Sequence, residues 1–403
     1  MDRLLAGLTI AALPLGSIAY ESEGRSLLIA YSLLVGTMLV VHVLAGALAG
    51  RTQRGPLGRA FRLAAVMLLA MFIPVLADGL QLRALVAYAS FAGGTLCGLA
   101  IAAVWSTTRR HFGFIDGCLV FFVLVTAVQL RLSSDTGSSL HQAEVTWGAS
   151  NYVAGTVVVA SLAVIARLLE VRAARWLWAV PVIGFASALL TLSRGAAVAG
   201  AIGLLVLLWN SGRRTTTRFL LRASCLGLVV AAAEVFTAIT DARSVGGYDP
   251  GQNIDARIAL LHIAWDQFLS SPLTGTGWLA LRDVDAFAVP ISFAHNVVLS
   301  FMQIGGAFGI VFLVVLARQV YFGLRHRTPM FAAVAAMLAM SFSDPFLEGG
   351  VGSLIAWAAI GYAVFTGSPS AVATPVIDPR ASTTAQPLSV QRLSGSRRVA
   401  GRR

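Results

Sequence analysis

Residues 84–105 read Ala84-Leu85-Val86-Ala87-Tyr88-Ala89-Ser90-Phe91-Ala92-Gly93-Gly94-Thr95-Leu96-Cys97-Gly98-Leu99-Ala100-Ile101-Ala102-Ala103-Val104-Trp105, 22 positions without a charge. As a helix, such a run crosses the roughly 30 Å hydrocarbon core of a bilayer. Comparable runs recur along the chain at 4–20, 26–50, 61–77, 112–130, 151–169, 175–192, 195–210, 219–238, 293–317, 329–343 and 350–366, giving about 12 expected spans. The whole chain of 403 residues is 57% apolar and 12% charged, with a mean hydropathy of +0.79. A soluble domain is about half apolar and a quarter charged, so the expected fold is all-α, a polytopic transmembrane helix bundle.

The 30 basic residues, all arginine, lie between the apolar runs rather than in one patch, which excludes a nucleic-acid partner. Their distribution orients the bundle. With both termini cytoplasmic, 23 arginines fall on the inside and seven outside: Arg25, Arg83, Arg131, Arg194, Arg243, Arg257 and Arg282. Acids run the other way, with Asp78, Asp255, Asp266, Asp344 and Glu348 among those expected outside. Residues 1–366 form the expected membrane domain, with a first helix retained rather than cleaved and a large extracytoplasmic loop at 239–292. Residues 367–403, rich in Pro, Ser, Thr and Arg, are expected to be a disordered basic cytoplasmic tail touching anionic headgroups. Cys97, Cys118 and Cys225 lie inside apolar runs with no metal or disulfide spacing, and read as packing residues.

An arginine at a membrane boundary marks a site unless it is paired or lines water. Arg194, in Thr191-Leu192-Ser193-Arg194-Gly195, is tightly flanked by apolar runs on the side poor in positive charge. In the large loop, Gly251 to Leu269 forms an amphipathic helix, capped by Asn253 or Asp255 and ended by Ser270-Ser271-Pro272. Asp255, His262 and Asp266 share one face, while Arg257 projects with Leu261, Ala264 and Phe268 toward the membrane domain or pairs with an acid at the helix edge. Pro272-Leu273-Thr274-Gly275-Thr276-Gly277 lacks the strand and third glycine of a nucleotide loop, and its glycines serve a tight turn or a close backbone approach. His295 and Asn296 open the tenth run at a helix N-terminus, suited to an anion. Asn151 opens the sixth. Glu234 in the ninth run can orient an arginine or act as a base, and Asp116 is expected at headgroup level beside Arg109 or Arg110.

Trp147-Gly148-Ala149-Ser150-Asn151-Tyr152-Val153-Ala154, Ser193-Arg194-Gly195-Ala196, Arg257 with the turn from Pro272 to Gly277, and Ala294-His295-Asn296 leading to Gly305-Gly306 resemble, in order and spacing, the O-antigen ligase and polymerase family of bacterial membrane glycosyltransferases. The resemblance covers most of the chain after about residue 145. It implies transfer of a glycan from an undecaprenyl diphosphate carrier to an acceptor hydroxyl, on a glycan or a lipid, at the outer face of the bacterial inner membrane. It also implies that Arg194, Arg257 and His295 are the essential groups, and Ser193, Asn296, Asn151 and Glu234 join them as substrate-binding candidates from the reading of the residues themselves. Neither Arg131 nor Arg257 carries the polymerase branch's glycine spacing, so ligase and polymerase both stay open.

The residue chemistry fits that expectation. Two guanidiniums can take the charge of a diphosphate leaving group by bidentate hydrogen bonds, and a histidine can accept the acceptor's proton. No cofactor is called for, and the expected reaction is metal-independent, because Asp283-Val284-Asp285 is the only approach to a metal-binding acidic pair and reads as a solvated stretch. The rival class is a transporter, for bicarbonate or another small anion. Carriers place charges near the bilayer midplane on broken helices, whereas here the polar chemistry collects at the outer boundary.

Overall fold

The structure is a computed structural model and describes residues 2–15, 36–38, 41, 42, 45, 56–134, 150–171, 173–210, 215–245, 250–281 and 294–367. The expected span at 26–50, Trp147 to Ala149, Asp283, Asp285 and the tail beyond Gly367 lie, wholly or largely, outside these residues. Among the described residues every regular element is a helix. In chain order these are α1 (Asp2–Ala12), α2 (Pro56–Ala77), α3 (Leu82–Ser106), α4 (Phe114–Ser134), α5 (Ser150–Glu170), α6 (Ala179–Leu189, entered through a 3₁₀ turn at Arg175–Trp178), α7 (Arg194–Asn210) and α8 (Thr215–Val245). They continue as α9 (Pro250–Ser270), α10 (Val297–Gly305), α11 (Ala307–His326), α12 (Phe331–Ser341) and α13 (Gly350–Gly367). Four are long and apolar enough to cross a membrane, over Leu82–Ser106, Phe114–Ser133, Asn151–Glu170 and Ala307–His326, and five shorter apolar helices accompany them.

Small residues set the tightest packing. Helices α3 and α13 have the most extensive interface, and a Cβ on Gly98 would come within 2.5 Å of the Trp357 Cβ and 2.6 Å of the Leu354 carbonyl oxygen. Backbones that approach so closely gain dispersion contacts where lipid offers no hydrophobic drive between helices. Phe91, Phe301, Phe312 and Trp357 stack around this seam, fully buried. Cys97 and Cys118 are buried and unbonded, as packing residues should be.

Asp116, expected to pair with Arg109 or Arg110, pairs with Arg167 instead. It is 1% exposed and receives Arg167 Nε at 2.7 Å and Trp105 Nε1 at 2.8 Å. Arg167, itself fully buried, also donates to Glu170 Oε2 at 2.8 Å, to the Tyr362 hydroxyl and to the His111 carbonyl. Tyr362 closes the cluster by donating to Glu170 at 2.6 Å. The cluster ties the ends of α3, α4, α5 and α13 together. Helices α5 and α13 run side by side from it, and at their other ends the Tyr152 hydroxyl donates to the Gly349 carbonyl at 2.8 Å. By helical rise, Tyr152 and Arg167 stand about 22 Å apart along α5, so the cluster and the candidate site occupy opposite ends of the bundle.

Two further expectations are corrected. The tenth apolar run is not one helix: it breaks at Gly306, whose φ of +56° favours glycine. The loop helix begins at Pro250, so Asn253 and Asp255 lie inside it rather than capping it, in keeping with proline's fitness for the first helical position.

Candidate functional site

Ser193 caps α7, its hydroxyl accepting from the Ala196 N–H at 3.2 Å, and this cap fixes Arg194 as the first helical residue. The turn before it is tight, with Leu192 at a φ of +50° and Thr191 and Ser193 buried. Arg194 lies over the Phe236 ring of α8 at 5.7 Å, a cation–π contact that aims the guanidinium. A Cβ on Gly195 would meet Ser343 Oγ at 2.9 Å and Asp344 Oδ2 at 3.5 Å. The start of α7 is thus pressed against the Ser343-Asp344 turn that follows α12.

Arg257 reaches the same turn from α9. Its Nη1 donates to the Ser343 carbonyl at 2.8 Å, and its Nη2 lies 3.7 Å from Asp344 Oδ1. The helix turns the expected face inward: Leu260 and Ala264 are buried, while Asp255, His262 and Asp266 are exposed. Arg257 keeps a side-chain exposure of 30%, so it is at once anchored and accessible.

His295 arrives from a third segment. Asn296 caps α10, accepting from the Val298 and Leu299 N–H groups at 3.0 and 3.1 Å. His295, just before it, has a φ of +53°. A non-glycine residue held there is a stored strain of the kind that gathers at functional sites. The Ala294 N–H donates to Ser300 Oγ at 3.2 Å and pins the turn. His295 Nδ1 lies 3.7 Å from Asp344 Oδ1 and has no hydrogen-bond partner.

Arg257 and His295 therefore converge on Ser343-Asp344 with their side chains, and the start of α7 brings Arg194 to the same turn through the Gly195 backbone, although 101 positions separate the first of the three from the last. Asp344, 5% exposed, is the residue that sequence reasoning passed over. It was grouped with the outer acids, and the available signal was a carboxylate at the end of an apolar run, opposite in sign to two arginines expected at the same level. Ser193 and Asn296 are placed here as caps. Asn151 stands at the start of α5, half-buried. Glu234 is exposed on α8 and makes no ion pair with an arginine among the described residues, so nothing links it to Arg194.

The turn from Pro272 to Gly277 supports the site from behind. Thr276 and Gly277 donate backbone N–H groups to the Gln303 and Ile304 carbonyls at 2.9 and 3.1 Å. A Cβ on Gly275, at a φ of +73°, would come within 2.1 Å of the Ile304 oxygen. Close backbone approach is what these glycines permit, as expected from the sequence.

Asp344 opens a short loop that ends at Glu348 and Gly349. Glu348 is 1% exposed; Oε2 accepts from the Leu347 N–H at 2.9 Å, while Oε1 has no partner. Burial pushes this carboxyl up to about 7, helped by the Asp344 charge and opposed by neighbouring N–H groups and the Ser300 hydroxyl. The folded chain then keeps a proton that the unfolded chain gives up at the ordinary carboxylate value. Stability should fall as pH rises from about 5 to about 7 and level off above that. Thermal melts of the solubilised protein across this range test it: Glu348→Gln should flatten the slope, and an unchanged slope would refute the assignment.

No curated protein matches the chain. Residues 179–314 match the family model described as O-antigen ligase, and the match contains Arg194, Arg257 and His295. Asp344 lies beyond it. Residues 179–314 of this apolar, all-helical chain are thus similar to an O-antigen ligase family domain, and Arg194, Arg257 and His295 all fall within them.

Proposed function

We propose that the chain transfers a glycan from an undecaprenyl diphosphate carrier to an acceptor hydroxyl at the outer face of the bacterial inner membrane. The observation that carries this reading is the meeting of the Arg257 guanidinium and the His295 imidazole at the Ser343-Asp344 turn, against which the start of α7, with Arg194 as its first residue, is packed. Arg194 and Arg257 take the diphosphate, whose negative charge grows as its oxygen leaves the anomeric carbon. The acceptor oxygen forms the new bond at that carbon, and its proton passes to His295. Asp344 orients the imidazole and stabilises it once protonated.

An apolar groove of about 320 Å³ supports the donor's placement. It is lined by Phe185 and Ala188 of α6, Ala196 and Gly200 of α7, and Leu228 and Val235 of α8, starting one turn from Arg194. Its apolar lining suits an isoprenoid chain whose diphosphate ends at the arginine. Both termini lie on the cytoplasmic side in this reading.

Deletion of the gene in its host, with the surface glycan and the carrier-linked pool compared by gel, tests the proposal. Carrier-linked glycan should accumulate, as full-length chains for a ligase or as single repeat units for a polymerase. His295→Ala should fail to restore transfer, with a loss of about 10²–10⁴, and Arg194→Ala and Arg257→Ala should each lose about 10²–10³. Unchanged glycan in the deletion strain would sink the reading.

A further inference from the structure

One short loop grips the His295 turn from two sides. Asp344, at its start, faces the imidazole. Glu348, at its end, reaches the backbone of the same turn through a serine. Ser300, early in α10 and fully buried, accepts the Ala294 N–H at 3.2 Å. Its own hydroxyl hydrogen goes to the buried Glu348 carboxyl, where it favours the charged form. The contacts thus run from Glu348 through the Ser300 hydroxyl to Ala294, the residue bonded directly to His295. Such a chain has a direction. A carboxylate only accepts, so a charged Glu348 keeps the Ser300 hydrogen on itself and leaves an oxygen lone pair for the Ala294 N–H, strengthening that bond by polarisation. A neutral carboxyl can also donate, and the Ser300 hydroxyl is then free to turn. The turn needs holding: His295 has a φ of +53°, which costs a non-glycine residue about 1–3 kcal/mol and persists only where its surroundings enforce it. Facing Glu348 are Asp344 from its own loop, Ser300 of α10, the Tyr152 hydroxyl of α5, and Arg83 and Ser90 of α3. Of these, among the described residues, Ser300 alone bonds to the backbone before His295.

We propose that Glu348 is a positioning residue for His295, acting through Ser300: when charged it locks the Ser300 hydroxyl onto the Ala294 N–H and so fixes the aim of the imidazole. Glu348 itself touches no substrate. Burial works against its charge, so the fold carries the lock at some cost in stability. Transfer then depends on the outer pH through two groups, His295 as the base and Glu348 as the lock that aims it. The effect on transfer rests on the glycan-transfer reading; the lock on the Ala294 N–H rests on the contacts alone.

Two measurements test the lock. In the host, transfer is followed as the rate at which pulse-labelled carrier-linked glycan becomes surface glycan. The ratio of the wild-type rate to that of Glu348→Gln should rise from about one at a medium pH of about 6 to about tenfold at about 8, the scale of one hydrogen bond to a charged group. Protonation of the base is common to both strains and cancels in the ratio. Ser300→Ala should be slowed as much at the higher pH, and Ser300→Thr, which keeps the hydroxyl, should recover most of the rate. The double variant Ser300→Ala/Glu348→Gln should be no slower than Ser300→Ala, because Glu348 acts through that hydroxyl. A ratio that stays constant with pH, or a double variant slowed by the product of the single losses, would overturn the proposal. Amide hydrogen exchange of the full chain in detergent reads the lock with no substrate present. At a pH of about 8, the Ala294 N–H should exchange about tenfold faster in Glu348→Gln and in Ser300→Ala than in wild type. The Ile310 N–H, bonded to the Gly306 carbonyl in α11, should not change. Unchanged Ala294 exchange would overturn the lock, and equal acceleration of both amides would overturn it too, by showing a general loss of stability. Should gene deletion leave the glycan unchanged, the transfer reading fails while Ala294 exchange still decides whether Glu348 holds the turn.

Discussion

Asp344→Asn should lower glycan transfer by about 10²–10⁴-fold while leaving the protein folded and inserted. The carboxylate sits 3.7 Å from both Arg257 Nη2 and His295 Nδ1, so one group sets the position of the leaving-group guanidinium and of the base. The amide keeps the shape but loses the charge that stabilises a protonated imidazole. Arg194 is held by Phe236 and the α7 cap instead, so donor binding should largely survive. The loss should therefore appear in kcat rather than in KM for the carrier-linked donor. Asp344→Glu, which keeps the charge on a longer stem, should recover part of the rate. A rate within threefold of wild type for Asp344→Asn would show that the convergence on this residue has no catalytic meaning.

Arg167→Ala should destabilise the protein by about 3–5 kcal/mol, the scale for removing one partner of a buried ion pair. The substitution would strand Asp116 and Glu170, whose side chains are 1% and 6% exposed, and would orphan the Tyr362 and His111 groups that now receive its N–H donors. Lysine should not rescue it, because a single ammonium cannot reproduce the fork that serves two carboxylates and two oxygens. The effect is a stability effect alone, since the cluster stands about 22 Å from the site along α5. Thermal melting after solubilisation checks it, together with the double variant Arg167→Met/Asp116→Leu. Removing both charges should cost less than removing the arginine. A double variant worse than the single would show that the cluster's value is not electrostatic.

The sequence carried those features whose signal is local. An uncharged run long enough for a bilayer announces a helix wherever it stands, and Arg194, Arg257 and His295 were conspicuous because each interrupts apolar surroundings. What escaped was pairing at a distance. Asp116 and Arg167 are 51 positions apart, and nothing in either neighbourhood distinguishes a buried pair from two residues at a headgroup boundary. Asp344 escaped for the same reason, since its partners come from two separate segments and its own flanks look like any loop at a membrane edge. The break at Gly306 was written in Gly305-Gly306, but hydropathy alone is blind to it. Capping was misjudged where two signals competed: Pro250 outweighs the Asx residues that follow it, because a proline loses nothing at a first helical position.

Ala264, Leu281 and Ala294 form a small hydrophobic cluster of their own, joined by Ile263 and Leu299 and separate from the main core. Arg257 belongs to the helix that rests on this cluster, and His295 follows Ala294 directly. Asp344 follows α12, which packs in the main core. The reactive groups are thus drawn from segments of both clusters, and Asp344 stands 3.7 Å from Arg257 Nη2 and from His295 Nδ1. Because Asp344 faces Arg257 and His295 together, this one turn couples the grip on the leaving group to the aim of the base.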